Sequence, residues 1–129
     1  MATLSIQLSV ADTTKNITVP SGSIVVTSGD GEHEGSITTT TSEGSVTIDS
    51  QITAGNGPGV LMLRNLSTTA AETIEIGFAT TVYPIKLNAQ DGAEMYWVLL
   101  PLNSSETDFF HKAASGTPQL WFKIFERGA

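Results

Sequence analysis

The chain has 129 residues, no cysteine, and six basic residues against thirteen acidic ones, for a formal net charge of −7. This is the length of one domain with room for a core that needs no staples, and without cysteine it has no disulfide framework, thiolate metal site or cysteine nucleophile. The basic residues stand singly from Lys15 to Arg127, so the clustered cations that displace counterions from phosphates are missing, and neither nucleic acid nor a membrane is an expected partner.

Charged residues make up 15% of the chain, against roughly 25% in an ordinary soluble domain. Serine and threonine supply the missing polarity, which suits surfaces that meet other protein surfaces. No apolar run approaches the ~20 residues that span a bilayer. The opening Met-Ala-Thr-Leu-Ser-Ile-Gln lacks the basic flank and apolar centre of a signal peptide. A soluble protein, made in the cytoplasm where it is synthesised, is expected.

In chain order, residues 3–10 alternate with period two. Leu4, Ile6, Leu8 and Val10 share one face and Thr3, Ser5, Gln7 and Ser9 the other, the pattern of a strand with one wet side. Short strands are expected at 16–19 and 23–27 around the turn Pro20-Ser21-Gly22. Residues 28–35, with Asp30, Glu32, His33 and Glu34, read as an acidic loop. Thr-rich strands at 36–41 and 45–52, joined by Ser42-Glu43-Gly44, read as a hairpin. Gly55-Asn56-Gly57-Pro58-Gly59 reads as a turn dividing a polar first half from an apolar, aromatic second half.

After it, residues 60–66 are nearly all apolar and suit a central strand buried on both faces. Residues 73–78 alternate, with Ile74, Ile76 and Phe78 inward and Glu75 outward. Strands at 83–87 and 93–100 flank a turn at 88–92 that contains Asp91-Gly92. Residues 104–114 read as a hairpin arm rather than a capped helix. In the last strand Leu120, Phe122 and Ile124 share one face, and Trp121, Lys123 and Phe125 the other. The tally is an all-β, antiparallel β-sandwich of about nine or ten short strands, in one domain over residues 1–129. Its expected core is Leu61, Leu63, Ile74, Ile76, Leu87, Leu99, Leu120, Phe122 and Ile124.

No constellation reads as catalytic, cofactor-binding or metal-binding. Asp30, Glu32, His33 and Glu34 offer oxygen ligands for a hard cation but lack the spacing of a calcium loop. His111 has no Gly-x-Ser-x-Gly elbow to serve. The glycines at 55–59 precede a strand and carry no lysine, unlike phosphate loops. Glu72/Glu75 and Asp91/Glu94 have no cleft to flank. Asn16, Asn65 and Asn103 match glycosylation acceptors by chance in a Ser/Thr-rich chain.

Five stretches carry a resemblance: Gly-Val-Leu-Met-Leu-Arg-Asn-Leu-Ser-Thr-Thr (59–69), Ile-Glu-Ile-Gly-Phe (74–78), Tyr-Pro-Ile-Lys-Leu (83–87), Gly-Ala-Glu (92–94), and Lys-Ala-Ala-Ser-Gly-Thr (112–117). Over residues 57–126 the chain resembles small β-sandwich accessory proteins of tailed-bacteriophage particles. These include capsid cement or decoration proteins and neck or tail components. The resemblance implies a jelly-roll-like, non-enzymatic structural protein of a virion. On that reading it is a homotrimeric cement protein on the outer capsid surface that bridges major capsid protein subunits. A neck, tail or fibre component is the alternative, and a carbohydrate-binding module with Trp97 or Trp121 as sugar platform is an alternative of another class. The candidate interface is the first strand and the Thr-rich segment, with two late aromatics: Leu4, Ser5, Gln7, Ser36, Thr38, Thr39, Thr40, Thr41, Trp121 and Phe125. Its few charges make it cheap to desolvate, and a free sheet edge there would allow strand addition.

Overall fold

Period-two alternation becomes two antiparallel sheets stacked on a common core. The computed structural model describes residues 2–6, 22–26, 32–52, 57–90, 95–103 and 105–127. The expectations for residues 7–10, 16–19, 28–31, 55–56 and 91–94, including Gln7 and Asp30, lie outside the described residues. The strands are β1 (Ala2–Ile6), β2 (Gly22–Val26), β3 (Glu32–Thr38), β4 (Gly44–Thr47), β5 (Gly57–Asn65), β6 (Ile74–Gly77), β7 (Ile85–Leu87), β8 (Trp97–Pro101), β9 (Asp108–Ala113) and β10 (Gln119–Arg127).

The larger sheet runs β3-β10-β5-β8, and β1-β2 joins it through β2 and the end of β10, where Arg127 pairs with Val26. The smaller sheet runs β4-β9-β6-β7. Leu61, Leu63, Leu120, Phe122 and Ile124 of the larger sheet pack with Val46, Ile74, Ile76, Leu87 and Phe109 of the smaller one in a single buried cluster. The arrangement is β-sandwich-like, with alternate residues of each strand directed inward. Phe109 and Phe122 meet edge-on across the layer, ring centroids 5.9 Å apart, a favoured aromatic geometry. Strands from the polar first half sit in both sheets, since β3 pairs with β10 and β4 with β9. They line the core that the second half supplies.

Four expectations are corrected. Residues 32–35 are not a loop: they open β3, where Glu32, His33, Glu34 and Gly35 face Phe125, Ile124, Lys123 and Phe122. Gly35 faces the core because the Phe122 ring lies over it; a Cβ there would come within 2.9 Å of Phe122 Cζ. Gly57-Pro58-Gly59 is not a turn but the start of β5, where Pro58 stands opposite Glu126 at a register shift. Bulges are among the few places where a strand tolerates proline.

Residues 36–52 are not a hairpin. β3 and β4 lie in different sheets, and Thr39 and Thr40 carry the chain between them, with Thr39 N donating to Pro118 O and Thr40 O accepting from Ala113 N. β4 ends at Thr47, followed by one 3₁₀ turn at Asp49–Gln51. Finally, Leu99 leaves the main core. Parity turns it outward, where it packs with Met62 against Val60 and Phe125. Leu100 takes the inward position.

Candidate functional site on the outer face of the larger sheet

Residues directly opposite in an antiparallel ladder share a face. The register therefore sets one row across the outside of the larger sheet: Ser36 opposite Trp121, Trp121 opposite Arg64, and Arg64 opposite Trp97. Met62, Leu63, Arg64, Tyr96, Trp97 and Trp121 enclose a groove of about 320 Å³ there. Trp97 is 48% exposed, the fullest display of a ring among the described aromatics.

These side chains are held in place. The Arg64 guanidinium stacks 5.4 Å from the Tyr96 ring centroid, and its Nη2 donates to Gln90 Oε1 at 3.0 Å. Gln90 in turn donates from Nε2 to the main-chain oxygen of Asn65 at 2.7 Å. The Trp121 indole N–H donates to Glu34 Oε2 at 3.2 Å. Asn65, fully buried behind Arg64, donates to the main-chain oxygens of Glu72 and Leu87 and accepts from Ser67 N. It ties the larger sheet to the smaller one. Its burial also removes it as a glycan acceptor.

The candidate interface residues separate. Ser36 and Thr38 are exposed on β3, which pairs only with β10 among the described residues. Thr38 Oγ1 accepts from Gln119. Thr40 and Thr41 are exposed on the crossover, whereas Thr39 is fully buried and offers nothing to a partner, because it sits where the chain passes between sheets. Trp121 is half-buried in the groove, and Phe125 is buried in the outer cluster under Lys123, whose Nζ lies 5.2 Å from the ring centroid. Leu4 and Ser5 lie in β1, opposite Ile24 and Ser23.

Arg64, Met62 and Tyr96 join the site without having been singled out in the sequence. The signal was present: 62 and 64 share a parity opposite to the core positions 61 and 63, so a charge inside an apolar run marked the outward face.

Among the described residues the titratable side chains do not converge. His33 Nε2 donates to Oε1 of the fully buried Glu126 at 2.7 Å. His111 is buried beside Phe109, with its ring over Gly44, where a Cβ would lie 2.5 Å from Cε1. Its Nδ1 has no hydrogen-bond partner among the described residues, and burial lowers its pKa below the ordinary histidine value. Glu72 accepts from Ser67 Oγ, while Glu75 stands opposite both Lys86 and Lys112 on the other sheet's outer face. Glu43 accepts from the Tyr83 hydroxyl and from Thr81 N, binding the crossover to the turn after β6. The Tyr83 bond and then the Thr81 bond hold the carboxyl below its usual value, and the same carboxylate pushes Tyr83 up to about 12. Among the described residues, no three acidic or histidine side chains gather as a metal site. No helix there is long and apolar enough to cross a membrane.

Comparison of the chain with family models, curated proteins and solved structures finds no match.

Proposed function

We propose that this chain is a non-enzymatic structural protein of a tailed-phage particle, with the favoured role of a capsid cement protein. One observation carries the reading. The strand orders β3-β10-β5-β8 and β4-β9-β6-β7 follow the interleaving of an eight-stranded jelly roll, an architecture that recurs in viral capsid and lectin domains. Fold alone does not assign function. The sequence resemblance to virion accessory proteins supports the capsid branch of that pair.

On this reading β3 is the docking edge. It has one partner among the described residues, and its outward Ser36 and Thr38 are exposed and uncharged. A neighbouring coat strand can add to such an edge through main-chain hydrogen bonds. The chain works as a homotrimer at three-fold positions, where closed symmetry presents three edges at once, and it stabilises the shell because it binds the assembled lattice and not free subunits.

The test is co-sedimentation with assembled shells of a tailed-phage major coat protein. Saturable binding that raises the shell's melting temperature is expected. So is retention in ~0.5 M salt, where the Debye length falls to roughly 4–5 Å, since the contact is not ionic. The double change Ser36→Lys with Thr38→Lys should abolish it by charging the edge. Failure to bind shells or any other assembled particle component would overturn the reading, as would a hydrolytic activity lost on changing His33 or His111.

A further inference from the structure

The row Trp121–Arg64–Trp97 stands on the open face of the larger sheet and begins one strand in from the β3 edge. Its groove is concave and small. About 320 Å³ lies at the lower end of the volumes that hold small ligands, roughly 300–1,000 Å³. A protein partner of ordinary size would instead cover about 800 Å² on each side. The two indoles flank Arg64 at neighbouring ladder positions, so at ~4.8 Å per strand they stand about 10 Å apart. That separation suits one or two sugar rings, whose C–H faces pack on aromatic rings.

Among the described residues Arg64 is the charged residue lining the groove, and it is exposed. A guanidinium carries five N–H donors. The hydrogen bond to Gln90 leaves donors that match a carboxylate in a forked geometry. The Tyr96 stack and the Gln90–Asn65 relay hold the group in advance, so little entropy is lost when a ligand arrives. The chain's overall −7 opposes an anion at long range. Beyond roughly 8 Å that field is screened at physiological salt. Close by, the Glu34 carboxylate stands at the Trp121 end, bonded to its indole N–H, and the Arg64 guanidinium holds the middle of the row.

We propose that this groove binds a saccharide bearing a carboxylate, of the uronic or sialic acid type, with its ring on the indoles and its carboxylate on Arg64. The site belongs to the folded single chain and does not depend on the particle reading. A soluble monomer that binds the saccharide but no shell would fail that reading alone.

The experiment is an NMR titration of the purified chain with methyl glucuronide, N-acetylneuraminic acid and the neutral methyl glucoside, following the two indole N–H signals. A saturable shift of both indoles by one of the acids is expected, with Kd of about 1 mM or tighter and at least tenfold weaker binding of the glucoside. Arg64→Gln should weaken the acid tenfold or more and leave the glucoside unchanged. Trp97→Ala should weaken every saccharide, with the backbone amide spectrum confirming that both variants are folded. No shift with either acid at ~10 mM, equal affinity for glucuronide and glucoside, or tighter binding of a short acidic peptide than of either acid would each overturn the proposal.

Discussion

Each sheet carries one row of side chains across the middle of its outer face, and the two rows differ in kind. On the smaller sheet, register sets Lys112, Glu75 and Lys86 side by side, a carboxylate between two ammonium groups. On the larger sheet it sets Trp121, Arg64 and Trp97 side by side, a cation between two indoles. Opposite charges across strands satisfy each other in water, so the first row needs nothing more. The second leaves aromatic surface and a charge turned to solvent, and it is the one braced from behind, by Gln90 and Asn65. Both faces rest on the same inner layer, so the contrast comes from what each strand presents outward.

That shared layer is where the comparison breaks most readily. Phe122→Ala should cost about 3–5 kcal/mol, because Phe122 fills the space over Gly35 and meets Phe109 across the layer. Both outer faces should be lost in one transition, monitored by indole fluorescence for the larger sheet and by amide exchange of β6 and β9 for the smaller. Separate transitions would show that the sheets do not share a core.

Asn65→Ala comes next. It takes the Asn65 donor from the part-buried main-chain oxygen of Glu72 and the buried one of Leu87, at about 1–3 kcal/mol. The Arg64–Gln90 contact should survive, since Gln90 bonds the main-chain oxygen of residue 65. Chemical denaturation gives the first quantity. Unchanged Gln90 side-chain amide shifts would report the second.

Acid should act on the smaller sheet. Burial keeps His111 below the ordinary value of 6.5, so below that pH the unfolded chain binds a proton that the folded chain refuses. Stability then falls as pH drops through about 6.5 and levels off only where folded His111 itself protonates. Denaturation curves of the natural chain and of His111→Gln between pH 7.5 and 5 should differ in slope over that window. Parallel curves would remove His111 as the cause.

The smallest effects belong to the charged row. Lys86→Ala or Lys112→Ala should stay within about 0.5 kcal/mol. Glu75→Lys sets three like charges in register, at about 0.2–1 kcal/mol for each opposed pair, and added salt should relieve it. A larger loss at Glu75 would mean that the row carries more than surface charge.

Alternation alone was enough to place most strands and most of the core, because a strand with one dry face must be apolar at every second residue. Residues 74–76 and 120–125 declared both their class and their facing in this way. Leu99 did not: in Trp97-Val98-Leu99-Leu100 every residue is apolar, and only pairing with β5 shows which of them points inward. Partnership was likewise invisible. Ser42-Glu43-Gly44 suits a hairpin, yet buried Thr39 leads the chain across to the other sheet. Acidic residues 32–34 suit a loop, yet β10 offers an edge that pairs them, and Glu126 gives His33 a buried partner. The groove depended on three strands far apart in sequence. Period two determines which face a side chain takes within its own strand, whereas the neighbours across that face are set by long-range register, and only the tertiary structure brings Trp97, Arg64 and Trp121 into one row.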